Sequence, residues 1–227
     1  DSDSLVMARK EICQALEHIC TKFSTLGRVT SYARAQTLRR KPIEDLKAIR
    51  RAGLTRLHIG LETGSGDLLK WIQKGVGPET MVSGVAKARA AGFEISLYVL
   101  LGIGGAAGSS RHAAETAALI NRMNPDFVRV RTLAPQPGTD LYEQWQAGRF
   151  ELPGPEAILH EQRDLIEQID VKCQYLSDHV SNYAPVNGSL PEDRAAMGSV
   201  LDRTLQRLSD DKAFKQGLER MAYLRRL

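Results

Sequence analysis

A chain of 227 residues can bury a sizeable core, and 42% hydrophobic with 26% charged residues excludes a disordered or fibrous protein. No apolar run reaches the ~20 residues of a membrane span, no signal-peptide pattern opens the chain, and the net charge of +4, much of it in the terminal "RMAYLRRL", reads as a solvated helix end rather than a nucleic-acid footprint. Cys13, Cys20 and Cys173, odd in number and without a CxxC, exclude a disulfide framework and fit a reducing cytoplasm.

The chain begins "DSDSLVM", a turn-like acidic cluster with no initiator methionine, and reads as a fragment. A helix is predicted over 4–25, where Leu5, Ile12, Leu16, Ile19 and Phe23 form one stripe and Cys13 and Cys20 pack on or beside it. A strand over 28–34 precedes a helix over 42–52 opened by Pro42. A strand over 55–61 leads to Glu62, then to helical segments over 65–74 and 79–91. A strand over 94–101, a helix over 110–123 and a strand over 127–132 follow. Thr139 or Asp140 caps a short helix in "PQPGTDLYEQW", and a further helix covers 155–170. "KCQYLSDH" offers one more strand and "PVNGSLPED" a loop, with 185–191 a boundary before a helix over 192–208 and a helical basic tail.

Three helix-to-strand joints repeat one theme, at Gly53, at Gly92 and at Asn124-Pro125. A helix stop followed by an alternating apolar run, three times over, means βα units, a parallel sheet and right-handed crossovers. The strands are two-faced. Thr30, Tyr32 and Arg34 share one face of the first; His58, Gly60 and Glu62 oppose Leu57, Ile59 and Leu61 in the second. Glu94, Ser96 and Tyr98 oppose Ile95, Leu97, Val99 and Leu101, and Arg129 and Arg131 oppose Val128 and Val130. Doubly wound sheets carry continuous apolar strands, and closed eight-stranded barrels fill with branched apolar side chains. The fold predicted is therefore an α/β, partial TIM-like open barrel with a wet lumen. It occupies residues 1–150, and 151–227 form a mainly helical C-terminal extension.

Arg34, Glu62, the Gly102-Ile103-Gly104-Gly105 turn and Arg131 gather at the C-terminal strand ends, where open α/β folds place their sites. Two guanidinium forks and a carboxylate suit a zwitterion. The glycines let backbone approach a planar ligand closely, although "GIGGAAG" by itself is a weak signal.

These segments together, "TSYARAQTL", "LTRLHIGLETGS", "FEISLYVLLGIGG", "FVRVRTLAPQPGT" and "SDHVSNYAPVNGSLPED", resemble the radical S-adenosylmethionine (SAM) superfamily. Within it the likeness is to the cobalamin-domain-less, coproporphyrinogen-oxidase-like iron–sulfur oxidoreductases. The resemblance implies a partial (βα)6 barrel holding SAM, with a [4Fe–4S] cluster whose open iron takes SAM's amino and carboxylate groups. One electron from a donor then yields a 5′-deoxyadenosyl radical that abstracts substrate hydrogen. By position, Asp3 of "DSD" stands near where such proteins place a glutamate on the SAM amino group. Glu62 resembles the residue reaching ribose or methionyl group, Gly102 the turn meeting adenine, and Arg34 and Arg131 lumen residues near SAM or substrate. The CxxxCxxC cluster loop is absent, so the resemblance implies that it, the first strand and most of the second lie upstream, and that this chain alone is inactive. No substrate is implied, small or macromolecular.

Of the remaining candidates, His58 is a structural histidine or a ligand contact, and Arg129 pairs with a carboxylate or touches ligand. Tyr32 and Tyr98 stack in the lumen or bury one satisfied hydroxyl. Asp178-His179 resembles a hydrolase dyad only superficially, while Trp71, Trp145 and Cys173 are packing. Two rivals stand beside the radical reading: a barrel enzyme binding phosphate at the glycine turn, and a non-catalytic degenerate barrel acting as a scaffold.

Overall fold

The computed structural model describes residues 3–23 and 25–224, so Asp1 and Ser2 of the acidic opening, and Arg225, Arg226 and Leu227 of the basic tail, lie outside the described residues. β1 (Val29–Tyr32), β2 (Leu54–Glu62), β3 (Glu94–Leu101), β4 (Phe127–Thr132), β5 (Cys173–Leu176) and β6 (Gly188–Leu190) form one open sheet in sequence order. The first five strands run parallel and β6 pairs antiparallel with β5. α1 (Arg9–Lys22), α2 (Ala35–Arg40), α3 (Ile43–Arg51), α4 (Gly66–Trp71), α5 (Pro78–Ala90) and α6 (Gly105–Met123) precede β4. α7 (Asp140–Gln146), α8 (Pro155–Gln168), α9 (Arg194–Asp210) and α10 (Lys212–Leu224) follow it.

Leu57, Ile59, Leu61, Ile95, Leu97, Val99, Val128 and Val130 are all buried on the helix-covered face. Each such side chain contributes roughly 1.5–3 kcal/mol. The three repeated joints have the backbone their residues imply: Gly53 at φ +122°, Gly92 at +90° and Asn124 at +47°, left-handed stops that release the chain into the next strand.

Local pattern differs from the final elements in several places. The 4–25 helix is a 3₁₀ turn at Ser4–Val6 followed by α1, which peels away past Leu16, leaving Cys20 and Phe23 exposed. Cys20 is therefore not core; its sulfur lies 2.6 Å from where a Cβ on Gly53 would sit. α2 forms in the stretch between the expected strand and helix, for which no element was expected, pressed so closely on α5 that a Cβ on Gly84 would meet the Ala35 carbonyl oxygen. α6 begins at Gly105, because the glycine run can form its tight first turn. α8 ends at Gln168 rather than 170. "GSL" within the expected loop is β6, held by pairing with β5, so the chain beyond residue 150 supplies two strands of the sheet as well as helices. Among the described residues no helix is long and apolar enough to cross a membrane.

Candidate functional site

Parallel register stacks the lumen side chains into rungs. Tyr32, His58, Ser96 and Phe127 form one; Gly60, Tyr98 and Arg129 form the next; Leu100 and Arg131 form the third, nearest the mouth. Asp3, Arg34, Glu62 and Arg131 line a single cavity of about 380 Å³ above this floor, so four of the five residues singled out in the sequence come together.

Glu62 ends β2 at φ +62°, beside a register shift, which swings its side chain out of strict alternation. A left-handed non-glycine residue costs about 1–3 kcal/mol. Its Oε1 accepts a 2.9 Å hydrogen bond from Lys74 Nζ, both side chains being about one-quarter exposed at 27% and 26%. The pair lies across Gly60, where a Cβ would stand 2.3 Å from Oε1. Lys74 was not anticipated; its signal is the Gln73-Lys74-Gly75 turn, two of whose residues have positive φ.

Asp3 Oδ2 accepts from Thr37 Oγ1 at 2.5 Å, whereas Oδ1 is buried with no hydrogen-bond partner among the described residues. Arg34, preceding α2, and Arg131, whose guanidinium lies 4.8 Å over the Tyr98 ring, have no ion pair among the described residues. Tyr32 stacks on Tyr98 at 6.1 Å, with the His58 ring 5.5 and 5.8 Å from the two. Burial, then the charges of Arg129, Arg56 and Arg28, hold the His58 imidazole below its ordinary pKa, so it is neutral at pH 7. The hydrogen bond to Tyr98, then burial, raises the Tyr32 phenol.

Gly102 is not in this cavity. At φ +85° its N–H donates to Glu161 Oε1 at 2.8 Å, and a Cβ there would stand 2.8 Å from Ile158 Cδ1, so it faces α8. Glu161 also bonds His112 Nδ1 at 2.9 Å and accepts from Ser109 Oγ. The Gly105 and Ala106 amides are likewise engaged, by the Gly102 and Glu151 carbonyls. A phosphate at this turn would have to displace those bonds. Leu100 joins the lumen to a second, more apolar cavity of about 760 Å³ beyond β3 and β4, walled by Trp71, Ile103, Leu133, Pro135 and Leu141. Trp71, taken from sequence as packing, is 40% exposed and stacks on Phe150 at 5.5 Å.

Asp178 and His179 do not form a dyad. Asp178 Oδ1 is 3.7 Å from Arg129 Nη1, while His179 Nδ1 meets Ser181 Oγ at 2.8 Å. That serine and Asn182 bond Thr132 and Val130, fastening the segment to the end of β4. Thr139 caps α7, its hydroxyl accepting from the Tyr142 N–H.

The donor set fits SAM: an unpartnered carboxylate oxygen for an ammonium, cations for a carboxylate, and an apolar cavity for a base. It does not fit an iron–sulfur cluster. Cys13 and Cys20 lie on α1 and Cys173 in β5, and no group of three or more His, Cys, Asp or Glu among the described residues could hold a metal.

A model of the Radical SAM superfamily matches residues 4–116. The heme chaperone HemW of Bacillus subtilis is 28% identical over 145 residues, covering 62% of this chain and 37% of that protein. The chain thus spans little more than a third of this curated relative. Among solved structures, the archaeal Methanocaldococcus infernus Elp3 with an N-terminal deletion superposes with a TM-score of 0.61 at 16% identity, over 94% of this chain and 52% of that one. The coproporphyrinogen III oxidase HemN of Escherichia coli, a radical SAM enzyme, gives 0.56 at 17% identity, over 74% and 39%. These structures share the fold.

Proposed function

Because this chain belongs to the radical SAM superfamily, whose members use SAM and a [4Fe–4S] cluster, we propose that its lumen and mouth cavities hold one SAM molecule within an iron–sulfur oxidoreductase. The observation that carries this is the orphaned Asp3 Oδ1, an acceptor buried in a cavity otherwise rich in cations. Asp3 takes the ammonium, Lys74 and Arg34 the carboxylate, and Glu62 a ribose hydroxyl; each is a charge-assisted bond in a partly desolvated site. The apolar cavity around Ile103 and Leu133 takes the adenine. Both cavities fall within the usual volume of small-molecule sites, roughly 300–1,000 Å³.

When bound, SAM supplies reductive cleavage and hydrogen abstraction from a substrate. The residues of this chain bind and orient it, and the rings of Tyr32, His58 and Tyr98 floor the space beside it. Cluster thiolates and an electron donor come from elsewhere, so this chain by itself binds SAM without cleaving it. The three free thiols suit a reducing, cytoplasmic setting. Residues 1–150 carry the cofactor-binding side chains, and 151–227 complete the sheet with β5 and β6 and buttress it from α8 through Glu161.

Calorimetric titration with SAM tests the reading. Saturable binding is expected, weakened roughly tenfold or more in Asp3→Asn, which keeps shape and loses the charge. No saturable binding would leave the scaffold reading, and unchanged affinity in Asp3→Asn would remove Asp3 from the site.

A further inference from the structure

Within the lumen, three adjacent strands each turn inward a buried polar atom that has no hydrogen-bond partner among the described residues: His58 Nδ1 on β2, Ser96 Oγ on β3 and Arg129 Nε on β4. An unsatisfied buried polar atom costs about 1–3 kcal/mol. The serine hydroxyl and the guanidinium N–H are donors, and a neutral imidazole nitrogen can donate as well. What the three lack in common is an acceptor.

Charge points the same way. Arg56 is buried, lies 3.7 Å over the Phe127 ring and is neutralised by Glu94 at 3.0 Å. Arg129 is less well matched: its nearest carboxylate, on Asp178, stands 3.7 Å away with its side chain 60% exposed. The Arg129 side chain is itself 28% exposed, so a ligand can reach it, and Arg131, with no ion pair among the described residues, adds a second cation one rung above. His58 and Tyr98 belong to the cavity lining, which puts the site in continuity with the cofactor space.

We propose that His58 and Ser96 on one rung and Arg129 on the next together anchor an oxyanion of the substrate, a carboxylate or a phosphate, with Tyr32 and Tyr98 walling its organic part. Calling the ligand a substrate rests on the SAM reading; the anion site itself does not. Rungs on one face of a parallel strand are spaced by about 6.6 Å. A group held between these two rungs therefore lies one to two side-chain layers below the level of Arg131 and Leu100. Such a substrate presents toward the cofactor a carbon only a few bonds from its anionic group.

The test uses the whole chain without SAM and follows the His58 imidazole signals by NMR while benzoate or phenyl phosphate is added. A saturable shift of His58 is expected with at least one probe, and the tighter of the two names the anion. Affinity should fall roughly tenfold or more in Arg129→Gln, and several-fold in Ser96→Ala. Ser96→Ala removes a single hydroxyl and keeps the test decisive should Arg129→Gln fail to fold. The proposal is overturned if neither probe moves His58 saturably, as a site filled only by water would behave, or if Ser96→Ala, together with Arg129→Gln wherever that variant folds, binds as the parent does. Anion binding by a protein that does not bind SAM supports the anchor and counts against the cofactor reading; SAM binding without anion binding does the reverse.

Discussion

Glu62 and Glu161 both stand at the C-terminal end of the sheet, yet one is held in water by a single lysine and the other is sealed behind the strands by three partners. Glu62 belongs to β2, accepts a strained backbone and pairs with Lys74 at the rim of a cavity. Glu161 arrives from α8, has a side chain with 0% exposure and gathers the Gly102 N–H, Ser109 and His112. A carboxylate available to a ligand has to remain incompletely satisfied by its own protein, while one that holds a turn has to be saturated. The two should respond to substitution in opposite ways.

The largest expected effect is at Glu161. Glu161→Ala strands the Gly102 amide, the Ser109 hydroxyl and the His112 imidazole in a buried site, and should cost about 3 kcal/mol or more of unfolding free energy in urea. Glu161→Gln, which keeps an acceptor for Gly102, should cost less. A loss below about 1 kcal/mol in the alanine variant would mean that the turn holds itself, and that the two carboxylates are more alike than their burial implies.

Glu62→Asn should separate stability from binding. Asparagine tolerates the left-handed region better than glutamate, and a pair one-quarter exposed on each side contributes little, about 0–1 kcal/mol. The urea midpoint should therefore stay within about 1 kcal/mol of the parent, while SAM affinity falls several-fold. A variant that binds SAM normally would make Glu62 a structural partner of Lys74 only.

This contrast also marks what a sequence can and cannot show. Period-two alternation gave the faces of β2, β3 and β4 directly, because one residue of slip would have turned every leucine and valine of the apolar face into the lumen. The helix stops at Gly53, Gly92 and Asn124 were legible for a local reason, the positive φ each requires. Arg34, Glu62 and Arg131 fell together because they lie at or just past the C-terminal ends of β1, β2 and β4, whereas Asp3, ahead of the first helical turn, was reached only through the family resemblance. Lys74 was hidden, since no local rule says that a lysine in a turn folds back over Gly60. Glu161 was hidden further still: it reaches Gly102 across 59 positions. That contact explains why Gly102, expected to face a ligand, faces α8 instead. β6 and α2 were missed for a related reason, since three residues of "GSL" and six of "AQTLRR" are defined by what they pair with or pack on.

The smallest effect concerns the lumen floor and is read through pH. His58 is faced by Tyr32 and Arg28 on the β1 side, Arg56 on its own strand, Tyr98 on β3 and Arg129 on β4, an environment that disfavours a proton. Above its ordinary pKa of 6.5 the imidazole is neutral both folded and unfolded, so it contributes no pH dependence there. As the pH falls below 6.5 the unfolded chain takes up the proton first, and stability drops until the lower, folded pKa is passed. The slope for one site cannot exceed about 1.4 kcal/mol per pH unit. His58→Gln should flatten the urea midpoints between pH 7 and 5 relative to the parent, and because the other histidines titrate in both proteins, the difference between the two curves belongs to His58. Parallel curves would show that the surrounding arginines are screened from the ring. Benzoate bound against Arg129 should act in the opposite sense: it offsets the positive field, makes the protonated imidazole less costly, and so reduces the slope in the parent while leaving His58→Gln unaffected.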